Sequence, residues 1–198
     1  MLKKIAITGG IGSGKSMVLE CAKTLGYPIF SCDEIYKKIA QSKVYIEKIK
    51  GVFPNCIIDG ILDRKKLAEI VFNDNTSLET LNSIAHPMIM SRLFLEMDKI
   101  PDGLVFAEVP LLFECGYEKD FDETIYVKRN LQARINSVME RDKTDRASVL
   151  KRMQLQFNPD NENERIKLLA PNVYVLENNS TRDFVVSWLK NFISNHYL

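Results

Sequence analysis

The residues best equipped for chemistry lie near the start of the chain. Gly9-Gly10-Ile11-Gly12-Ser13-Gly14-Lys15-Ser16 fills every fixed position of the pattern G-x-x-x-x-G-K-[ST], whose backbone N–H groups cradle the phosphates of a nucleotide. A strand-like apolar run at residues 3–8 leads into it, and a helical pattern at residues 15–25 leads out. Glycines let the N–H groups turn inward and let phosphate oxygens approach where a Cβ would obstruct them, and the helix start adds partial positive charge. The loop therefore predicts an ATP site made by Gly10, Gly12, Ser13, Gly14, Lys15, Ser16 and Met17. Lys15 serves catalysis as the point charge on the β- and γ-phosphates, and the Ser16 hydroxyl ligates Mg²⁺. Met17 stands where many such loops carry a second hydroxyl, so one side-chain contact to the α-phosphate is missing.

A phosphate loop alone does not separate a kinase from a hydrolase or a switch protein, so the other chemically able residues matter. Asp33 follows a short apolar run and opens a helical pattern, which places its carboxylate at the rim where the phosphate loop ends. There it can take the proton of an attacking hydroxyl, or it can cap the helix that begins at Glu34. Farther along, Arg134 and Arg141 stand two helical turns apart and share a face, within a basic stretch that also holds Arg129, Lys143, Arg146, Lys151, Arg152 and Arg165. Arginines on a closing element neutralise charge on a transferring phosphoryl group. The alternative is a solvated face paired with Glu140, Asp142 and Asp145. Arg141, at the end of its helix, is taken as the catalytic and ATP-binding arginine.

These residues need a scaffold. Strand patterns at 3–8, 28–31, 104–109, 124–127 and 173–176 alternate with helical patterns at 15–25, 33–41, 64–72, 78–85, 87–97, 131–141, 147–157 and 182–196, the signature of an α/β domain with a parallel sheet. The expected architecture is one domain over residues 1–198, a three-layer α/β fold with a five-stranded parallel sheet. Its core is residues 1–41, 100–130 and 166–198, with a helical insertion at 42–99 and a helical lid at 131–165. The insertion has no convincing internal strand, and the Pro after His86 reads as a break between two helices. Val109-Pro110-Leu111-Leu112-Phe113-Glu114 ends a strand, and its apolar residues suit either an exposed acceptor pocket beside the phosphate site or a buried strand end.

The chain has 198 residues and is 45% hydrophobic, enough for one substantial core. Its 27 basic and 26 acidic residues nearly cancel, so no global field draws it to nucleic acid or a membrane. The four cysteines show no metal-site or redox spacing and read as reduced thiols of a cytoplasmic protein. No apolar run reaches the roughly 18 residues of a spanning helix.

Beyond the phosphate loop, four landmarks carry a resemblance to the dephospho-CoA kinase family, the last enzyme of coenzyme A synthesis. Cys32-Asp33 matches the end of its D-A-D element, Ala85-His86-Pro87 its H-P element, Val109 to Glu114 its V-P-L-L-x-E element, and Arg152 with Gln156 its R-x-x-x-Q element. Glu177-Asn178-Asn179 is similar to its late D-N segment. The resemblance implies a P-loop kinase fold and transfer of the ATP γ-phosphoryl group to the ribose 3′-hydroxyl of dephospho-CoA. Asp33 is then the base, the insertion the acceptor-binding part, and the basic segment the lid. It also implies substrate contacts at His86, Leu111, Leu112, Glu114 and Gln156, an ATP contact at Asn178, and no obligatory protein partner. Ser31 replaces the first aspartate of the D-A-D element, so no carboxylate is available to Mg²⁺ there. The alternatives are a kinase for another small acceptor and a regulatory P-loop ATPase. Nucleotide acceptors are disfavoured because the insertion offers only Arg64 and Arg92.

Overall fold

A computed structural model describes residues 1–197, with Phe72 followed through its backbone only. The elements run β1 (Leu2–Thr8), α1 (Lys15–Thr24), β2 (Ile29–Ser31), α2 (Cys32–Ile39), α3 (Lys43–Val52), β3 (Ile57–Ile58), β4 (Ile61–Leu62), α4 (Arg64–Asn73) and α5 (Asn75–Met97). They continue with β5 (Gly103–Glu108), β6 (Glu123–Lys128), α6 (Leu131–Asp142), α7 (Arg146–Gln154), α8 (Glu162–Arg165), β7 (Val173–Glu177) and α9 (Arg182–Tyr197). All five expected strands form and join one parallel sheet in the order β2-β5-β1-β6-β7.

β1 is the central strand because its side chains are buried on both faces. Ile5 and Ile7 point to one side with Phe106, Ile125 and Val127, against Val18, Leu19 and Ala22 of α1 and Val185, Leu189 and Phe192 of α9. Strand alternation puts Ala6 and Thr8 on the opposite face, where both are buried. The registers Ile7↔Glu108 and Thr8↔Tyr126 bring the carboxyl ends of three parallel strands together at the loop after Thr8. The chain leaves β1 toward β2 on one side and returns on the other as β6, so this loop lies at the point where strand order reverses, the usual ligand crevice of such sheets.

The chain divides into two compact units, Ser31–Lys99 and the remainder. The second unit thus starts at Ser31 and takes in α2, which the sequence reading had assigned to the core up to residue 41. Within it two expectations are corrected. No helix break occurs at His86: α5 runs through Pro87 for 23 residues. The missing N–H of Pro87 deprives only the Ser83 carbonyl of its helical partner, and Ser83 and Pro87 are both exposed, so water can take that carbonyl. Burial of Ala85 before the proline and of Met90, Leu93 and Met97 after it packs both halves of the helix. The insertion also contains a strand pair after all, the antiparallel hairpin β3–β4. It turns at Asp59-Gly60 with φ of 50° and 76°, the double positive φ that a two-residue hairpin turn requires.

Candidate functional site

The phosphate loop joins β1 to α1, and its geometry follows from where its carbonyl groups go. Lys15 Nζ donates to Gly9 O at 2.7 Å and to Gly10 O at 3.2 Å, and Ser13 N also donates to Gly10 O at 3.1 Å. Arg134 Nε donates to Ile11 O at 2.9 Å, Arg129 Nη1 to Gly12 O at 3.2 Å, and Asn178 Nδ2 to Ser13 O at 2.7 Å. The carbonyls of Gly9 and Gly10 are thus held within the loop, and those of Ile11, Gly12 and Ser13 by side chains of the surrounding fold. Because the N–H and C=O of a peptide point in opposite directions, drawing the Ile11 and Ser13 carbonyls outward turns the N–H groups of Gly12 and Gly14 inward, toward an anion. Gly12 has φ 76°, and a Cβ there would come within 2.6 Å of the backbone oxygen of Arg134. Gly14 caps α1 with φ 94°.

Lys15 is buried at 8% exposure, and Ser13 at 1%. The Ser13 hydroxyl finds no hydrogen-bond partner among the described residues, so a buried donor stands ready in the loop for a phosphate oxygen. Ser16 Oγ lies 3.1 Å from Glu108 Oε1. Glu108 is the last residue of β5, buried at 7% exposure, and the sequence reading overlooked it. Its signal was an acid closing an apolar strand beside the loop strand, the same argument that selected Asp33. A hydroxyl and a carboxylate are hard oxygen donors that suit Mg²⁺, an ion held through few protein groups and several waters. Among the described residues no cluster of three or more His, Cys, Asp or Glu side chains forms a separate metal site.

The segment of α6 and α7 places its cations unequally. Arg134 lies with its guanidinium in the space a Gly10 side chain would fill, half-buried, and burial pulls it below its ordinary pKa, though arginine stays charged. Arg141 instead grips Asp142 with Nε at 2.7 Å and Nη2 at 3.1 Å, and Arg152 reaches the same carboxylate at 2.6 Å. The hydrogen bond from Arg141, reinforced by Arg152, holds the Asp142 carboxyl down at about 2. Arg129 also donates to Ser137 Oγ at 3.0 Å, locking the start of α6 to the loop.

Other expected site residues fall in mixed places. Gln156 lies just past α7, and its Oε1 accepts from Ile11 N at 2.7 Å. Asn178 is buried at 5% exposure beneath the loop. Met17 spends its N–H on Gly14 O at 3.0 Å and packs its side chain on the main core. The exposed Leu-Leu-Phe lining is corrected: Leu112 is 0% and Phe113 3% exposed, and Phe113 stacks with Phe157 and Tyr126 at 4.7 and 6.1 Å, leaving only Leu111 half-open. Apolar residues following a strand are cheaper to bury than to expose. Glu114 Oε1 accepts from Phe157 N at 2.8 Å.

In the other unit, Asp33 is exposed and sits in the first turn of α2, not at its cap; Ser31 holds the cap position. The carboxylate is thereby spared a capping bond and remains favourably placed on the helix dipole. His86 is half-buried within α5, and burial lowers its pKa, so the ring is neutral near pH 7.

A relative from Fusobacterium nucleatum described as dephospho-CoA kinase is 37% identical over 190 residues, covering 95% of each chain. One of the same description from Thermus thermophilus is 36% identical over 173 residues, 87% of this chain and 84% of that one. The crystal structure of TT1252 from Thermus thermophilus superposes with a TM-score of 0.81 at 34% identity, over 99% of this chain and 98% of that one. The family model described as dephospho-CoA kinase matches residues 3–183. That span takes in the phosphate loop, Glu108, the arginines of α6 and α7 and Asn178 alike, and this chain belongs to the dephospho-CoA kinase family.

Proposed function

We propose that this chain transfers the γ-phosphoryl group of ATP to the ribose 3′-hydroxyl of dephospho-CoA, releasing coenzyme A and ADP. The observation that carries the reading is the phosphate loop with every carbonyl from Gly9 to Ser13 hydrogen-bonded, those of Ile11, Gly12 and Ser13 to side chains outside the loop, in a chain whose family match runs nearly end to end. A loop so fixed meets a triphosphate with little beyond the Lys15 side chain to rearrange, and preorganisation of this kind is where phosphoryl transfer draws most of its catalysis.

In this reading Gly10, Gly12, Ser13, Gly14, Lys15 and Ser16 hold the phosphates, with Lys15 exchanging its two loop carbonyls for phosphate oxygens. Ser16 and Glu108 would hold Mg²⁺, which when bound would supply positive charge against the phosphates. Arg134 at the loop supplies the nearest lid cation, and Arg141 and Arg152, paired on Asp142, complete the set. Asp33 takes the proton of the acceptor hydroxyl. Acceptor recognition is assigned to the Ser31–Lys99 unit, which carries Asp33 and the neutral His86, together with Leu111 and Glu114. No helix among the described residues is long and apolar enough to cross a membrane. Cys21, Cys32 and Cys56 are buried free thiols, which fits work in a reducing cytoplasm on small molecules, without a nucleic-acid or protein partner.

The test is ADP release with ATP and Mg²⁺, with and without dephospho-CoA, with the product weighed by mass spectrometry. Coenzyme A should appear in step with ADP, and Asp33→Asn should abolish both while the protein still binds ADP. ADP formed without the acceptor, or only with a different one, overturns the substrate assignment.

A further inference from the structure

We propose that Gln156 is a positioning residue for the nucleotide: it locks the Gly10–Ile11 peptide of the phosphate loop against flipping, and it does not contact the acceptor. The inference rests on ATP being the donor, as set out above. The Gly10–Ile11 peptide plane is held at both ends. Its oxygen accepts from Ser13 N at 3.1 Å and from Lys15 Nζ at 3.2 Å, and its N–H donates to Gln156 Oε1 at 2.7 Å. A peptide that follows a glycine flips at little steric cost. If this one turned, Gly10 O would leave Ser13 N, and the tight turn that presents the Gly12 and Gly14 N–H groups to the phosphates would lose its brace, so anion binding would suffer directly.

Gln156 is built to hold still. Its own N–H donates to Met153 O at 3.2 Å. The next residue, Phe157, is buried at 9% exposure, packed tilted against Phe113 and edge-on against Tyr126, with centroids 4.7 and 5.5 Å away, and its N–H is fixed to Glu114 at 2.8 Å. Its own backbone and the residue after it are thus anchored, and the amide has less freedom to lose on bonding to Ile11. Ile11 is gripped a second time by Arg134 through its carbonyl at 2.9 Å. Its side chain packs against Ile135, Val138 and Val149, the small core of the lid. The loop tip is therefore seated in the lid, and Gln156 sets which way its first peptide faces.

The test compares Gln156→Met, which keeps the length and removes the acceptor, and Gln156→Asn, which withdraws the oxygen by one methylene, with the unaltered protein. ADP affinity is read by calorimetry, and KM by steady-state assay for ATP and for dephospho-CoA separately. Stranding one part-buried N–H weakens binding about tenfold. Both variants should therefore weaken ADP and raise the KM for ATP by about that factor, while the KM for dephospho-CoA and the melting temperature stay near their starting values. A raised KM for dephospho-CoA with ADP affinity unchanged would show Gln156 on the acceptor and overturn the proposal, as would no change in any of these. If the unaltered protein makes no coenzyme A but both variants still lose ADP affinity, the substrate assignment fails and the role of Gln156 stands.

Discussion

Replacing Asn178 tests whether the loop is held from outside or holds itself. The side chain is buried at 5% exposure, and its Nδ2 meets Ser13 O at 2.7 Å. The backbone N–H of Asn178 bonds to Lys128 O at 2.7 Å and survives any substitution but proline. Asn178→Ala therefore removes one donor and leaves a carbonyl stranded, a cost of about 1–3 kcal/mol. That cost divides between folding and binding. Should the loop stay in place, the whole appears as lost stability and nucleotide affinity is unchanged. Should it relax in the free protein, stability is spared and the nucleotide must restore the geometry. Ser13 lies between Gly12 and Gly14, both at positive φ, so rotation of its carbonyl is easy and binding should take the larger share. ADP affinity measured by calorimetry should fall by about 5- to 100-fold, with a small loss in urea unfolding. Asn178→Asp, of the same shape, sets a carboxylate oxygen against Ser13 O beneath the phosphates and should lower affinity further than alanine does. The reasoning is refuted if the alanine variant binds ADP within about twofold of the parent and melts within about 1 °C of it.

Glu108→Gln keeps an oxygen for Ser16 and removes the charge, so the Mg²⁺ concentration for half-maximal rate should rise about 10- to 100-fold, while ADP binding measured without metal stays as it was. Asp142→Asn bears on pH. The Asp142 carboxyl is held at about 2 by Arg141 and Arg152, below its unfolded value of about 3.9. Its contribution is therefore present above roughly pH 4 and fades as pH falls toward 2. The residue is exposed, which limits the effect to about 0.5–1 kcal/mol. Chemical denaturation at pH 7 should show the variant less stable by that amount, and the gap should close by about pH 2.

Much of the fold was legible because its signals are local. Each strand was an apolar run bounded by turn residues, and the loop pattern named its own helix and strand. Local signals also misled. Pro87 announced a helix break, but a proline costs a helix only the partner of the carbonyl four residues earlier and some bending. Burial on both sides of it, a tertiary matter, decided for continuity. The hairpin at Asp59-Gly60 was missed although Asp-Gly between apolar pairs is a strong short-range hairpin signal. Two-residue strands are too short to show alternation, so only the turn betrayed them.

The candidate site divides differently. Lys15 and Ser16 were legible because their neighbours in sequence are their neighbours in space, whereas the groups that aim the loop come from elsewhere. Arg129, Arg134, Gln156 and Asn178 lie more than a hundred residues away. Helical periodicity put Arg134 and Arg141 on one face and could not choose between them. The choice was made by Gly12: because it has no side chain, the backbone of α6 at Arg134 can press against the loop, and this close approach brings the Arg134 guanidinium to Ile11. Arg141, two turns farther along the same helix, lies beyond that contact and pairs with the adjacent Asp142. A glycine in a sequence shows that something must come near, but not which element fills the space. For that reason the phosphate site could be read from the sequence, while the bonds by which Arg129, Arg134, Gln156 and Asn178 aim it became visible only in the fold.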